Sequence, residues 1–484
     1  MNGLSTPNGE TPLAAGAATT PAMGLASSAT PSRKARRVPL PRIWPVRAGD
    51  VYAVLAGNAL LIAGMWVRHG NLEELRTTAG QLTAIGQVAA LYGTYLVLIQ
   101  LVLMSRSPWL DQVFGQDRII FAHRWVGFGA IWLLVGHFVF TTFGYAMGIG
   151  ISPIDQLWQL LTLYPYVLWS AAALVLFVVV AIMSIRAARR RVSYETWYLI
   201  HLYVYLAIAL GFMHQLIVGI DFSRDPVARL YWIGLYVLAA GTLLVFRFGR
   251  PIALNLRHRL WVANVVSESP DVVSVYLTGR ALDGLPVRAG QWFRLRFLTR
   301  DGWWRSHPFS ISAAPNGQYL RFTIKGLGDH SRRLQRARIG NRVVVEGPYG
   351  VFSGLARTRS RVLLVAGGIG ITPLRALLEE LPAPRGALTL VYRATRPEEL
   401  VFKRELDQLA ELRGATIHYL VGKRGSSEMP SDPLEPRALR RLVPDIAERD
   451  VYVCGPAGMT DRVVSNLRRM RVPASQIHFE RFAF

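Results

Sequence analysis

AHRWVGFGAIWLLVGH, residues 122–137, is the stretch on which the reading of this chain turns. It places His123 and His137 fourteen residues apart among almost wholly apolar neighbours. An imidazole without a partner is costly to bury in hydrocarbon. The stretch therefore holds either two hydrogen-bonded packing residues or part of a binding site. On a helix, fourteen residues rise about 21 Å and complete nearly four turns, so both rings share one face at two depths.

The surroundings make that helix a membrane span. Of 484 residues, 51% are hydrophobic, and they clump in the first half. Six apolar segments, at about 51–67, 82–104, 119–143, 167–184, 197–220 and 230–248, approach or reach the length needed to cross roughly 30 Å of hydrocarbon. Residues 1–47 are rich in Ala, Thr, Ser, Gly and Pro and end in a basic cluster, which predicts a disordered basic N-terminal tail without a signal-peptide pattern. The net charge of +24 raises the question of a nucleic-acid partner. Because the arginines flank apolar segments, as at 33–47 and 186–191, they are read as anchors against anionic lipid, with no nucleic acid. Basic residues crowd the tail, the loop IRAARRR (185–191) and the exit RFGRPIALNLRHR (247–259), while 144–166 has no Lys or Arg. Both ends of the helical unit should then face the cytoplasm, and segments three and five run in parallel. The single cysteine, Cys454, excludes an internal disulfide and a cysteine-based zinc or iron–sulfur site.

Segment five carries His201 and His214 in IHLYVYLAIALGFMH. With parallel helices, His123 should face His201 near the cytoplasmic side and His137 should face His214 near the outside. Opposed imidazoles at two depths suit two haems. The spacing in segment five is thirteen rather than fourteen, which on an ideal helix turns His214 roughly 140° from His201. Either a distortion near Gly211 or haems approached from different sides is expected. AHRWVGFGAIWLLVGH, together with SYETWYLIH (193–201), resembles the ferric reductase and NADPH oxidase superfamily. That resemblance implies that His123, His137, His201 and His214 are axial ligands of two b-type haems, with Arg124 a candidate for a propionate. Phe128 and Trp132 lie between the two depths and are candidates to shorten the gap. Arg68 and His69, at the outer end of segment one, are candidate acceptor-site or interfacial residues.

Beyond Arg259 short alternating runs predict an antiparallel β-barrel, and from about residue 361 buried-strand runs separated by helical stretches predict a doubly wound α/β domain. The expected domains are 48–249, a ferric reductase-like transmembrane haem domain, 256–355, an FAD-binding barrel, and 358–484, an NAD(P)-binding domain. RSHPFSIS (305–312) is similar to the superfamily's flavin motif and implies that His307, Pro308, Phe309 and Ser310 contact FAD, Phe309 against the isoalloxazine. IKGLGDHSRRL (324–334) resembles the pyrophosphate-binding segment, with Gly326 and Gly328 permitting close approach and Ser331 opening a helix N-terminus. VEGPYG (345–350) looks like the turn that ends the flavin barrel in that family.

LLVAGGIGITPLRALLEEL (363–381) is a strand, a glycine-rich turn and a helix. It resembles the ferredoxin-reductase pattern, in which Gly368, Gly370 and Thr372 line a pyrophosphate. The second strand ends in VYRATR without an acid for a ribose hydroxyl, so Arg393 and Arg396 are candidates for a 2′-phosphate, favouring NADPH over NADH. In VYVCGPAGM (451–459), the resemblance puts Cys454, Gly455 and Pro456 beside the nicotinamide. The terminal aromatic Phe484 is similar to one that stacks on flavin in such enzymes. Together these imply a plasma-membrane oxidoreductase passing electrons from cytoplasmic NAD(P)H through FAD and haem b to an outer-face acceptor. Ferric chelates, dioxygen, a periplasmic redox protein and a quinone all remain open as acceptors. A membrane transporter or sensor carrying a flavin reductase module is the rival from another class.

Overall fold

The computed structural model describes residues 46–69, 72–185, 190–219, 223, 225–299, 303–327, 331, 334–335, 337–426, 429 and 431–482. Nearly all of the expected N-terminal tail, part of IRAARRR, Gly328 and Phe484 lie outside the described residues.

Six long apolar helices form a multi-pass membrane unit. They are α1 (Ala48–Arg68), α2 (Thr78–Leu103), α4 (Gln116–Ile149), α6 (Val167–Ser184), α7 (Tyr194–Val218) and α8 (Pro226–Leu244). Their starts carry ordinary signals: Thr77 accepts from the Gly80 N–H, Ser193 from Thr196 and Asp225 from Val227. Two shorter helices complete the unit. One is α3 (Pro108–Phe114), between α2 and α4; the other is α5 (Pro153–Leu163), in the loop without Lys or Arg. The sixth span does not end at the last apolar residue. It passes through a π-helical turn at Val245–Gly249 into α9 (Arg250–His258), crossing the expected domain boundary without a break.

The centre of the bundle is the α2–α4 contact, which small residues allow. A Cβ added at Gly86 would lie 2.4 Å from Thr141 Oγ1, and one at Gly144 would lie 2.5 Å from Thr83 Oγ1 and 2.7 Å from its backbone nitrogen. Tyr92 and Tyr95 tie α2 to α1 by donating to the carbonyls of Ala59 and Leu55. α7 packs on α6, whereas α4 and α7 make little direct contact among the described residues. The distortion considered near Gly211 is absent, because α7 is continuous α-helix.

The barrel consists of two three-stranded antiparallel sheets. β1 (Trp261–Ser269), β2 (Val272–Thr278) and β5 (Leu320–Lys325) form one; β4 (His307–Ser310), β3 (Trp292–Phe297) and β6 (Val343–Tyr349) form the other. Bridges Trp261–Arg342 and Ile311–Phe322 join them edge to edge. Burial alternates cleanly in β3, with Phe293, Leu295 and Phe297 inside, which fixes its register.

A parallel five-stranded sheet follows, in the order β11-β10-β7-β8-β9. Its strands are β7 (Val362–Gly367), β8 (Leu388–Ala394), β9 (Thr416–Val421), β10 (Asp450–Pro456) and β11 (Ile477–Phe482). Helices α10 (Ile371–Glu380), α11 (Lys403–Arg413), α12 (Pro436–Leu442) and α13 (Ala457–Arg469) flank it. β7 and most of β10 are buried throughout, as strands covered on both faces must be.

The α2–α4 contact is testable. Gly144→Ala should destabilise the protein by roughly 1–3 kcal/mol through overpacking. The readout is a lower thermal midpoint of the detergent-solubilised chain. Gly148→Ala is the control, since its added carbon meets only the Ala79 Cβ at 3.9 Å.

Candidate functional site

The four histidines come together in two pairs. The rings of His123, on α4, and His201, on α7, are 6.0 Å apart between centroids, with planes inclined at 59°. That separation accommodates one metal ion with a nitrogen bond of about 2 Å on either side. Trp197 lies 5.0 Å from the His201 ring, and Gln100 on α2 donates to the His123 carbonyl at 2.8 Å. At the other depth, His137 and His214 line one cavity of about 480 Å³.

The Gly86 carbonyl sets the tautomer of His137. Nδ1 lies 3.0 Å from the carbonyl oxygen of Gly86, which can only accept, so Nδ1 carries the hydrogen and Nε2 keeps the lone pair. The close approach of α2 at Gly86 is what brings that carbonyl within reach. His123, His201 and His214 each have a buried Nδ1 without a hydrogen-bond partner. Such an orphaned nitrogen is costly and marks a ring suited to another ligand. Among the described residues no three His, Cys, Asp or Glu converge as a metal site. Two opposed imidazoles therefore suit an iron whose remaining ligands come from a macrocycle better than a bare ion. The residues present fit a bis-imidazole haem at each depth.

Other residues of the bundle take different places. Arg124 is exposed beside His123, and Trp132 is 74% exposed on the outside of α4, away from the gap between the pairs. Arg68 and His69 both turn to Asp225, His69 Nε2 at 2.9 Å. His69, foremost among these contacts, holds the Asp225 carboxyl well below the usual carboxylate range.

In the barrel, His307–Ser310 forms edge strand β4, with Ser310 buried and Pro308 exposed. The Ser331 carbonyl accepts from the Gln335 N–H at 3.1 Å.

The nicotinamide-type cleft follows from strand order. After β9 the chain crosses back to place β10 on the far side of β7, so the sheet reverses between the ends of β7 and β10. Ligands of doubly wound sheets bind at such a switch point. The GGIG turn and the Cys454-Gly455-Pro456 turn meet there. A Cβ at Gly370 would lie 2.3 Å from the Cys454 carbonyl oxygen, so only glycine permits this approach. Thr372 is buried at the start of α10 and donates to the Ile369 carbonyl at 3.0 Å. The cleft, about 500 Å³, is lined by Gly367, Gly368, Arg393, Pro456 and also Lys325, Arg424 and Arg462. Arg393 is committed to main-chain carbonyls, among them Leu420 at 3.1 Å. Arg396 pairs with Glu399 at 3.1 Å. Arg424 was legible as a second strand-end cation, just after TIHYLV, but its place depends on how β9 lies beside β8.

Cys454 and Glu480 are register partners on β10 and β11. Burial pushes the Cys454 thiol well above its usual range, with Glu480 adding to the effect. Burial, aided by Asp117 and Asp111, also pushes the Glu480 carboxyl up to about 8. Its Oε2 is buried without a hydrogen-bond partner. Between the ordinary value of 4.5 and about 8, the folded chain keeps a proton that the unfolded chain has lost. Stability should therefore fall as pH rises through that window. Glu480→Gln should flatten this slope and raise the thermal midpoint most at its alkaline end. Parallel pH–midpoint curves for the two proteins would disprove a protonated Glu480.

Three family models match the chain in order. Residues 89–212 match a ferric reductase like transmembrane component, 258–353 an FAD-binding domain and 364–465 an oxidoreductase NAD-binding domain. Human dual oxidase 2 is 24% identical over 439 residues, covering 75% of this chain and 27% of that protein. The glycine betaine monooxygenase reductase subunit of Chromohalobacter salexigens is 27% identical over 239 residues, covering 47% of this chain and 65% of that protein. The chain thus spans less than two thirds of the length of these curated relatives. Among solved structures, the FAD/NAD-binding domain of nitric oxide dioxygenase from Vibrio cholerae is 25% identical with a TM-score of 0.38, covering 47% of this chain and 99% of that one. With its three matched segments laid end to end, this chain matches the ferric reductase and NADPH oxidase type of fusion, a transmembrane component joined to FAD- and NAD-binding domains.

Proposed function

We propose that the chain carries electrons from cytoplasmic NAD(P)H, by way of FAD and two b-type haems, to an acceptor on the outer face of the plasma membrane. The observation that carries this reading is the pairing of His123 with His201 at 6.0 Å, across two helices that otherwise make little contact. Bound flavin would supply the exchange between two-electron and one-electron chemistry, and haem iron the one-electron steps.

The chain's own groups do the holding. His123 and His201 would ligate the inner iron, and His137 and His214 the outer. The Gly86 carbonyl orients His137 and raises its basicity. Arg124, exposed beside His123, would meet an inner propionate. Phe309 and Ser310 would pack and hydrogen-bond the flavin, and Ser331 would help hold its pyrophosphate. Gly368, Gly370 and Thr372 would cradle the nicotinamide cofactor's pyrophosphate at the start of α10, where helix N–H groups favour anions. Cys454, Gly455 and Pro456 would set the depth of its ring. Phe484 would cover the flavin. The positive loops support the cytoplasmic orientation.

The outer cavity bears on the acceptor. Its lining includes Leu157, Leu160 and Leu161 of α5, with Gln87 and Gln215 as neutral polar groups, and none of its described lining residues is charged. With a haem held between His137 and His214, what approaches it through the rest of this uncharged lining would be a small uncharged acceptor, dioxygen, rather than an anionic ferric chelate. Purified protein reduced by NADPH under argon should show a b-type spectrum with about two haems per chain. His123→Ala and His137→Ala should each lose at least one, and air should reoxidise the parent with release of superoxide. A haem-free protein that keeps flavin reductase activity would overturn the reading; faster reoxidation by ferric citrate than by air would overturn the acceptor.

For the nicotinamide, NADPH fits better than NADH. Because Arg393 is spent on carbonyls and Arg396, paired with Glu399, does not line the cleft, the 2′-phosphate falls to Arg462 and to Arg424, which would exchange its 3.4 Å ion pair with Asp432 for the phosphate. Arg424→Ala should lower kcat/KM for NADPH roughly tenfold, the loss of a charge-assisted contact. The NADH value should barely move; equal losses for both nucleotides would refute this assignment.

A further inference from the structure

Asn255 lies on α9, the continuation of the sixth span. Its Nδ2 donates to the carbonyls of Val345 and Pro251, each at 2.7 Å, and its Oδ1 accepts from the Val345 N–H at 2.9 Å. Every hydrogen of this side-chain amide is used. β6 is an edge strand, paired with β3 on one side only, and Asn255 takes the place of the missing neighbour. At the next residue, Glu346 forms an ion pair with Arg106. Where the strand ends, Asp111 Oδ2 accepts from the Gly350 N–H at 2.7 Å. Arg106 and Asp111 belong to the connection that joins α2 to α4.

The rows of the sheet carry these contacts to the flavin motif. Val345 pairs with Leu295, which pairs with His307; Glu346 pairs with Arg294, which pairs with Pro308. Each row crosses two strand spacings, roughly 10 Å. On the membrane side, α3 leads into α4, and Gln100 near the end of α2 donates to the His123 carbonyl. Strand pairing, these interdomain contacts and the short connection between α2 and α4 therefore link His307 and Pro308 to the helix that carries His123. A single interdomain ion pair would leave the domains free to move. A side-chain amide bonded to both the N–H and C=O of one residue fixes strand register as well.

Building on the electron-transfer reading, we propose that Asn255, with Arg106 and Asp111, is a positioning clamp that fixes the separation between the flavin site and the inner histidine pair. These residues touch neither substrate nor redox group. They matter because electron transfer falls off exponentially with distance.

The test uses purified full-length protein loaded with haem and FAD. Two rates are compared: NADPH-driven reduction of a soluble dye that takes electrons from flavin, and stopped-flow reduction of the haem band under argon. Asn255→Ala should keep dye reduction and the haem spectrum, while haem reduction slows by roughly tenfold or more, as small misplacements do. Arg106→Glu should slow it too, and adding Glu346→Arg should restore it. That restoration keeps the test open if Asn255→Ala does not fold. Unchanged haem reduction in both single variants, with a normal parent, would overturn the clamp alone. A parent without a b-type band would overturn the electron-transfer reading and the clamp with it.

Discussion

An imidazole in the interior of a membrane has to be given a partner, and that requirement organises the first half of this chain. Four of them sit on α4 and α7, which keep to themselves and lean instead on α2 and α6. Gly86 and Gly144 let α2 come so close to α4 that a main-chain carbonyl reaches His137. The same closeness would be lost to any larger side chain. The small-residue contact and the histidine geometry are thus a single arrangement, in which packing supplies the hydrogen bond that orients His137.

The second half obeys a related constraint on backbone rather than on side chains. Where β7 and β10 diverge, two turns approach until the Gly370 and Cys454 main chains are in contact. That contact leaves helix N-termini and amide groups facing a cleft, with cations on its far wall. The cleft's chemistry comes from topology first. Individual side chains such as Arg424 and Arg462 then set the charge of its wall.

Much of this is legible in the sequence. Segment length and hydropathy show the six spans, alternation shows the barrel, and GGIG and CGP show the turns at the switch point. The histidine spacing shows the pairs. What is not legible is long-range. The thirteen-residue spacing of His201 and His214 looks like a case for a helix break, yet α7 runs through it unbroken. Arg393 reads as a phosphate ligand from its strand-end position, but the β8–β9 edge surrounds it with carbonyls. Asn255 is one polar residue in a basic exit segment. Its importance appears only when an edge strand ninety residues later lies against it.

The junction also explains the π turn. At Val245–Gly249 the Arg250 N–H reaches back five residues to the Val245 carbonyl. A π turn accommodates one residue more than an α turn, so everything after it is rotated by about 100° relative to an uninterrupted helix. Asn255 lies one and a half turns beyond, well within the rigid reach of that phase shift. Removing the extra residue would keep the helix but turn Asn255 away from Val345, leaving the free edge of β6 unpaired. The wider turn thus converts a membrane span into a helix that presents its amide to the flavin barrel. Its location between the last apolar residue and the clamp follows from that task, not from any weakness of VFRFG as helix-forming sequence.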